Sequence, residues 1–175
     1  WTNIHTLTGL TNGTSYYARV TVYTTNPNNG TLVTGGSITS SSKIPFRAAD
    51  APSSVTATPG DGQIQFDWSA AELNGSVFDY YQVDLFLWNP GYDPQFDRSS
   101  QVSTTSHTVT GLTNGNNFYA TVTVYTTDPN NSSISVTGGS ITSSSKILFW
   151  TANAPTLAYY PGYQTLRVDW SNVQL

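Results

Sequence analysis

Thr110-Gly111-Leu112-Thr113-Asn114-Gly115 leads into Phe118-Tyr119-Ala120-Thr121-Val122-Thr123-Val124-Tyr125-Thr126-Thr127. The second part alternates. Phe118, Ala120, Val122 and Val124 fall on one side, and Tyr119, Thr121, Thr123 and Tyr125 on the other, the two-residue period of a strand with one buried face. The first part is turn chemistry, with Gly and Asn-Gly where the chain must reverse. The same passage stands earlier, from Thr8-Gly9-Leu10-Thr11-Asn12-Gly13 through Tyr16 to Thr25, so Thr8 and Thr110 are offset by 102 residues. A second run, TGGSITSSSKI, spans Thr34 to Ile44 and recurs unchanged from Thr137 to Ile147, an offset of 103. The extra residue falls in the loop between, where Asn28-Asn29-Gly30 faces Asn130-Asn131-Ser132-Ser133. A period of about one hundred residues is too long for a solenoid unit and is the size of one small domain. The chain therefore reads as a tandem array.

The repeat sets the boundaries. Residues 1–48 match 103–151 and have no counterpart of 51–102. Residues 154–175 match the opening of the unit: Ala154-Pro155 corresponds to Ala51-Pro52, and Val168-Asp169-Trp170 to Phe66-Asp67-Trp68. The prediction is a C-terminal part of one domain at 1–48, a complete domain at 49–151, and the first strands of a further domain at 152–175. The junctions are Ala48-Ala49-Asp50-Ala51-Pro52 and Ala152-Asn153-Ala154-Pro155. Each contains a Pro that holds the residue before it extended, and their shortness predicts a semi-rigid row. The chain begins Trp1-Thr2-Asn3 without a Met or a signal peptide, so a mature product or a window of a longer chain is expected.

Inside the complete unit, Val55 and Ala57 alternate, Gly60-Asp61-Gly62 turns the chain, and Ile64, Phe66 and Trp68 point one way. Tyr81, Val83 and Leu85 form the next inward row, followed by a Pro/Gly loop from Asn89 to Pro94. Val109 and Leu112 point inward on a short strand, then Phe118 to Val124 on a long one, and Ile141 to Phe149 closes the unit. No helical period of useful length interrupts this. Seven short strands separated by turns in about one hundred residues predict a β-sandwich. Each fully buried ring is worth about 1.5–3 kcal/mol, enough for a core without disulfides.

Three stretches carry a family resemblance: Gly62-Gln63-Ile64-Gln65-Phe66-Asp67-Trp68, Tyr81-Gln82-Val83, and Thr110 to Gly115 with its Tyr/Val strand. Together, and in this order, they resemble the fibronectin type III family, over the entire chain. The resemblance implies an all-β fold of tandem fibronectin type III-like, immunoglobulin-like β-sandwiches. It also implies a corner in which a Tyr hydroxyl bonds back to the chain near a Leu. Leu10 and Tyr16 fit that corner. Leu112 and Phe118 do not, so either Tyr119 compensates or packing alone holds the second corner. The Arg-Gly-Asp loop of some adhesive members is absent.

Composition excludes several classes of function. Charged residues are 9% of the chain and the net charge is −4, against a nucleic-acid partner that would need a Lys/Arg patch facing phosphate. Cys is absent, which removes disulfides, thiolate chemistry and Cys-based zinc sites. No apolar run reaches the ~20 residues of a membrane span. Polarity comes from Ser, Thr, Asn and Gly, a compositional hint of exposed, secreted material.

The remaining candidates are few. His5 and His107 hold the same place in the repeat and share the side of Leu7 and Val109, which reads as a core edge. No Ser stands in a recognisable motif with a His and an acid, and no paired carboxylate stands in a pocket-forming context, so no catalytic residue, cofactor or metal is expected. Asp128-Pro129-Asn130-Asn131 could supply part of a Ca²⁺ site, which needs several converging oxygens. Asn12, Asn29, Asn74, Asn130 and Asn131 each open an Asn-x-Ser/Thr glycosylation signal, in a composition that produces such signals by chance. Tyr80, Phe86 and Trp88 lie opposite the inward row of their strand, and Tyr119 and Tyr125 lie outward on its neighbour. With Tyr92 and Phe96 in the loop they predict an aromatic patch on one sheet face. Such a patch either stiffens the sheet through cross-strand ring pairs or forms an interface.

The function expected from these readings is structural and non-catalytic: an extracellular or cell-surface tandem-repeat protein serving as stalk, adhesin or filament subunit. The alternatives are a carbohydrate- or protein-binding module and a spacer from a secreted glycan-degrading enzyme. The expected partners are the chain itself or neighbouring domains of the array, with a glycan or surface protein as further candidates. Neither half-domain can bury its apolar face alone. The chain is thus expected to be a segment of a longer array, in preference to strands of one copy completing the next, since neither half has a counterpart of residues 74–102.

Overall fold

The structure, a computed structural model, describes residues 3–171. Residues 1–2 and 172–175 lie outside the described residues. Among those described, every regular element is a strand, and no helix is long and apolar enough to cross a membrane. The first unit is the hairpin of β1 (Arg19–Thr25) and β2 (Leu32–Thr39). The central unit runs β3 (Val55–Pro59), β4 (Gln63–Trp68), β5 (Val77–Leu87), β6 (Gln95–Val102), β7 (Ser106–Thr110), β8 (Asn117–Asp128), β9 (Asn131–Thr142) and β10 (Lys146–Ile147). The last unit is the hairpin of β11 (Leu157–Gly162) and β12 (Thr165–Trp170).

The central unit is a β-sandwich of two antiparallel sheets. One has the order β3-β4-β7 and the other β6-β5-β8, with β9 and β10 both pairing the far edge of β8. Alternation decides what lies between them. Ile64, Phe66 and Trp68 face Tyr81, Val83 and Leu85 and the row Phe118, Ala120, Val122 and Val124, all buried. Trp68 and Tyr81 meet edge to face at 5.6 Å, a preferred geometry for ring pairs. The Tyr81 hydroxyl accepts a hydrogen bond from the Ala71 amide at 3.0 Å, whereas Trp68 Nε1 is buried with no partner among the described residues.

Three expectations need correction. Gln95–Val102 is a strand, β6, paired along β5, so Phe96 sits on a strand and not in the loop. Its polar, exposed sequence hides an edge strand, which needs ladder bonds on one side only and no apolar row. The closing segment is also not one strand. Its alternation stops at the triple Ser, where Ser143 Oγ accepts from the Ala120 amide at 3.1 Å. Ser40 does the same for Ala18 in the first unit, at 3.0 Å. Past this break Leu148 is buried and Phe149 is exposed, so Phe149 does not close the core. Finally, the two corners close differently. In the first unit the Thr11 amide donates to the Tyr16 hydroxyl at 3.1 Å. In the central unit Phe118 is buried, and Tyr119 is stacked on the outer face. There the Leu112 amide donates to the Gly62 carbonyl at 2.9 Å, and the Gly62 amide donates to Asn114 Oδ1 at 2.8 Å.

Candidate functional site: an aromatic face and a bonded junction

The outer face of the larger sheet is built by the out-pointing residues of β5 and their register partners. Tyr80 opposes Tyr125 and Phe86 opposes Tyr119. The first pair stacks at 4.8 Å between centroids with planes 12° apart. The second stacks at 5.2 Å and 14°, and Phe96 of β6 meets Phe86 edge-on at 5.8 Å. Between the two stacks the same face carries Gln82 and Asp84, joined by hydrogen bonds of 3.1 and 3.0 Å. The predicted single patch is therefore two aromatic clusters separated by a polar waist. Cross-strand pairs of this kind add about 0.2–1 kcal/mol each. Burial and the neighbouring Tyr125 hold the Tyr80 hydroxyl above its ordinary pKa.

The Phe86 end continues past β5. The Trp88 amide donates to the Asn117 carbonyl at 2.8 Å, which sets the indole at the rim of an open hollow of about 360 Å³. Trp88, Pro94 and Tyr119 line it on one side and Thr142, Ser143 and Ser145 on the other, the Ser143 hydroxyl being already bonded to the Ala120 amide and the Ser144 carbonyl. Tyr92 lies out on the loop, largely exposed.

The junction between the first and central units is the second constructed feature. Asn130, in the β8–β9 loop, grips the backbone of Ile44 twice: its Oδ1 accepts from the Ile44 amide and its Nδ2 donates to the Ile44 carbonyl, both at 2.8 Å. Asp128 Oδ1 presets that loop by accepting from the Asn130 amide at 2.7 Å. Farther along, the Arg47 amide donates to the Asn74 carbonyl at 3.2 Å and the Asp50 amide to the Glu72 carbonyl at 2.8 Å. Asn74 Nδ2 returns a bond to the Ala48 carbonyl at 3.1 Å. Asn74 adopts a positive φ of 52°, which Asn tolerates better than most residues. Gly75 beside it lies so near Gly13 that a Cβ there would come within 2.9 Å of Gly13 Cα. The Arg47 guanidinium holds the Asp50 carboxyl below its usual range, with Asn74 adding to the effect.

The other candidates are dispersed. Asn12, Asn29 and Asn131 are exposed, while Asn74 and Asn130 are half-buried and engaged in the junction. Among the described residues no three His, Asp or Glu side chains gather, and Asp128 is occupied by Asn130. His107 is half-buried beside the core, and burial depresses its pKa; His5 is exposed. The junction role of Asn130 was missed in the sequence because its partner is backbone 86 residues away. The available signal was the Asp-Pro-Asn turn at the offset position of Asn26-Pro27-Asn28.

No protein-family model matches the chain, and no curated protein matches it. The solved structures that are similar in part include the following two. One is titin kinase with its flanking domains, at 17% identity and a TM-score of 0.41, covering 58% of this chain and 17% of that one. The other is a β-1,2-glucanase from Parabacteroides distasonis, at 17% identity and a TM-score of 0.41, covering 70% of this chain and 16% of that one. The internal repeat is a much closer likeness than either.

Proposed function

We propose that the chain is a segment of an extracellular, non-catalytic array of fibronectin type III-like domains that acts as a stiff structural spacer. The observation that carries this reading is the junction, where Asn130, Asn74 and Glu72 bind the connecting backbone itself. A flexible tether leaves its linker amides to water. Here they are tied to the following unit, and bonded backbone resists the bending that an enzyme lid or disordered linker needs. A surface of hydroxyls and amides with few charges suits exposed material. The chain has no Cys, so spin labels can be placed cleanly at Thr39→Cys and Gln101→Cys, both exposed. Pulsed electron double resonance should give one narrow distance, broadened by Asn130→Ala. A broad distribution in the parent chain would remove the spacer reading.

A second reading, carbohydrate binding, is favoured by one observation: the hollow that sets Trp88 and Tyr119 beside Thr142 and Ser145. Flat apolar rings next to hydrogen-bonding groups suit a sugar face. Glycan-array binding lost in Trp88→Ala would support it.

A further inference from the structure

Five asparagines open an Asn-x-Ser/Thr signal, and this composition scatters such signals by chance. The repeat separates chance from retention. Asn29-Gly30-Thr31 and Asn131-Ser132-Ser133 stand 102 residues apart, at the β1–β2 tip and the β8–β9 tip. Both residues after the Asn differ between the copies, Gly against Ser and Thr against Ser, and the loop differs in length. The signal is kept through all of these changes. Asn12-Gly13-Thr14 is not kept: its counterpart is Asn114-Gly115-Asn116, which has no hydroxyl.

The structure sorts the same asparagines by what their side-chain nitrogens do. Asn130 Nδ2 donates to the Ile44 carbonyl at 2.8 Å and to Asp128 Oδ1 at 3.1 Å. Asn74 Nδ2 donates to the carbonyls of Ala48 at 3.1 Å and Glu72 at 3.3 Å. The linker they hold is also seated on the sheet. The Ala49 carbonyl accepts from the Gly139 amide at 2.9 Å. A Cβ on Gly138 would lie 2.8 Å from that carbonyl oxygen, and one on Gly139 would lie 2.8 Å from Ala51 Cα. A sugar on Asn74 or Asn130 would replace one donor hydrogen and have to lift this linker. Asn12 is exposed, but its loop packs into the same junction, the Gly13 amide donating to the Pro45 carbonyl at 2.9 Å. Asn29 and Asn131 differ from all three. Asn29 Oδ1 accepts from the Thr31 amide at 3.1 Å and the Thr31 hydroxyl at 2.7 Å, and Asn131 Oδ1 accepts from the Ser133 amide at 3.2 Å. Both residues are exposed, and neither Nδ2 donates to any group among the described residues. With the oxygen turned back to the chain, the nitrogen is the atom left to solvent. Asn131 stays exposed in a unit that carries both sheets and beside a junction already filled by Ile44, so the site is open in a packed repeat.

We propose that this tip is an N-glycosylation site of each repeat, with Asn29 and Asn131 as the acceptors, and that the incoming group is an oligosaccharide carried on a lipid pyrophosphate. The Asn Nδ2 forms a bond to the anomeric carbon of the first sugar. The bond from that carbon to the pyrophosphate oxygen breaks, the lipid pyrophosphate leaves with the electron pair, and one Nδ2 proton passes to a base of the transferase. The hydroxyl of Thr31 or Ser133 is the second half of the signal that the transferase reads. The overlapping signals at Asn130 and Asn131 are thereby divided: Asn130 bonds the linker and Asn131 carries the glycan. A bulky, solvating group then stands beside the linker without entering it. The proposal rests on the extracellular placement in the proposed function and not on the stiffness of the junction, which the spin-label distance tests separately.

Secreting the full chain from a eukaryotic host, behind a cleavable leader, decides it. Peptide-N-glycosidase in heavy-oxygen water leaves a heavy Asp at every occupied Asn, and peptide mass spectrometry locates it. The label is expected at Asn29 and Asn131 and at none of Asn12, Asn74 and Asn130. Thr31→Ala and Ser133→Ala should each remove the label from their own site, and Thr31→Ser and Ser133→Thr should keep it. In Ser133→Ala the signal at Asn130 is intact, and the label should still not pass to Asn130. Asn131→Gln should be secreted with the thermal midpoint of the enzymatically deglycosylated parent, which separates loss of the acceptor from loss of the fold. An unlabelled Asn29 or Asn131 in the secreted parent would overturn the proposal. So would label at Asn12, Asn74 or Asn130, in the parent or in Ser133→Ala.

Discussion

β1–β2 and β8–β9 have almost the same sequence and opposite surroundings. Val122 and Val124 are 0% exposed, whereas Val20 and Val22, at the same positions of the repeat, are 63% and 56% exposed. Both pairs lie on strands with the same alternation. The difference is the opposing sheet: β3-β4-β7 covers the central pair, and no second sheet among the described residues covers the other. Alternation thus specifies which side of a strand is to be buried, and a second layer decides whether it is.

The largest test of this contrast replaces the matched tryptophans. Trp68 is 6% exposed and Trp170 67%. Trp68→Ala should cost roughly 3–5 kcal/mol, as truncating a buried ring does, and Trp170→Ala less than about 0.5 kcal/mol. Urea unfolding followed by circular dichroism measures both in dilute protein. Equal losses would mean that the end hairpin is covered after all.

A smaller effect separates the matched glycines. Gly139→Ala must push Ala51 aside and should cost about 1–3 kcal/mol, the usual range for overpacking. Gly36→Ala points into open space and should leave the thermal midpoint unchanged at low concentration. A neutral Gly139→Ala would show that the linker can move off its seat without loss.

The smallest effect distinguishes the two junctions. Asp50 is paired with the Arg47 guanidinium at 2.6 Å. Its counterpart is the neutral Asn153, and the second junction is held instead by Asp61, which accepts from Asn114 at 2.7 Å and Thr151 at 2.8 Å. Arg47 depresses the Asp50 pKa, and the bonds from Asn114 and Thr151 depress that of Asp61. A carboxyl depressed in the folded state stabilises it above the unfolded pKa, and that contribution is lost as the pH falls through the folded value. Acid below the ordinary carboxylate value of 3.8 should therefore speed amide exchange at Asp50 and Thr151 before the core opens. Salt should weaken the Asp50 contact and spare the Asp61 one, because only the former is an exposed ion pair. Asp50→Asn should remove the acid response at the first junction alone, and an unchanged response there would assign it to another group.

Much of the central sandwich was legible from order alone. Ile64 to Trp68, Tyr81 to Leu85 and Phe118 to Val124 wrote their buried faces as period-two rows, because side chains on a strand alternate whatever else the chain does. The aromatic pairs were half legible: alternation put Tyr80, Phe86, Tyr119 and Tyr125 on the outer face, but the polar waist depended on register, which a bulge between Phe78 and Tyr80 shifts. β6 was not legible, since an edge strand needs no apolar row.

The sequence by itself determined the repeat, its boundaries, and which side of each long strand is apolar, since these are properties of composition and spacing along one chain. Only the tertiary structure decided that Asn130 holds Ile44, that Gly138 and Gly139 are a seat for Ala49 and Ala51, and that Gly62 and Asn114 tie down the corner where Phe118 has no hydroxyl to offer. Each of these joins groups far apart in the chain, several through backbone atoms that every residue carries alike. The side chain at one end of such a bond does not name its partner. Three-dimensional proximity supplies that information.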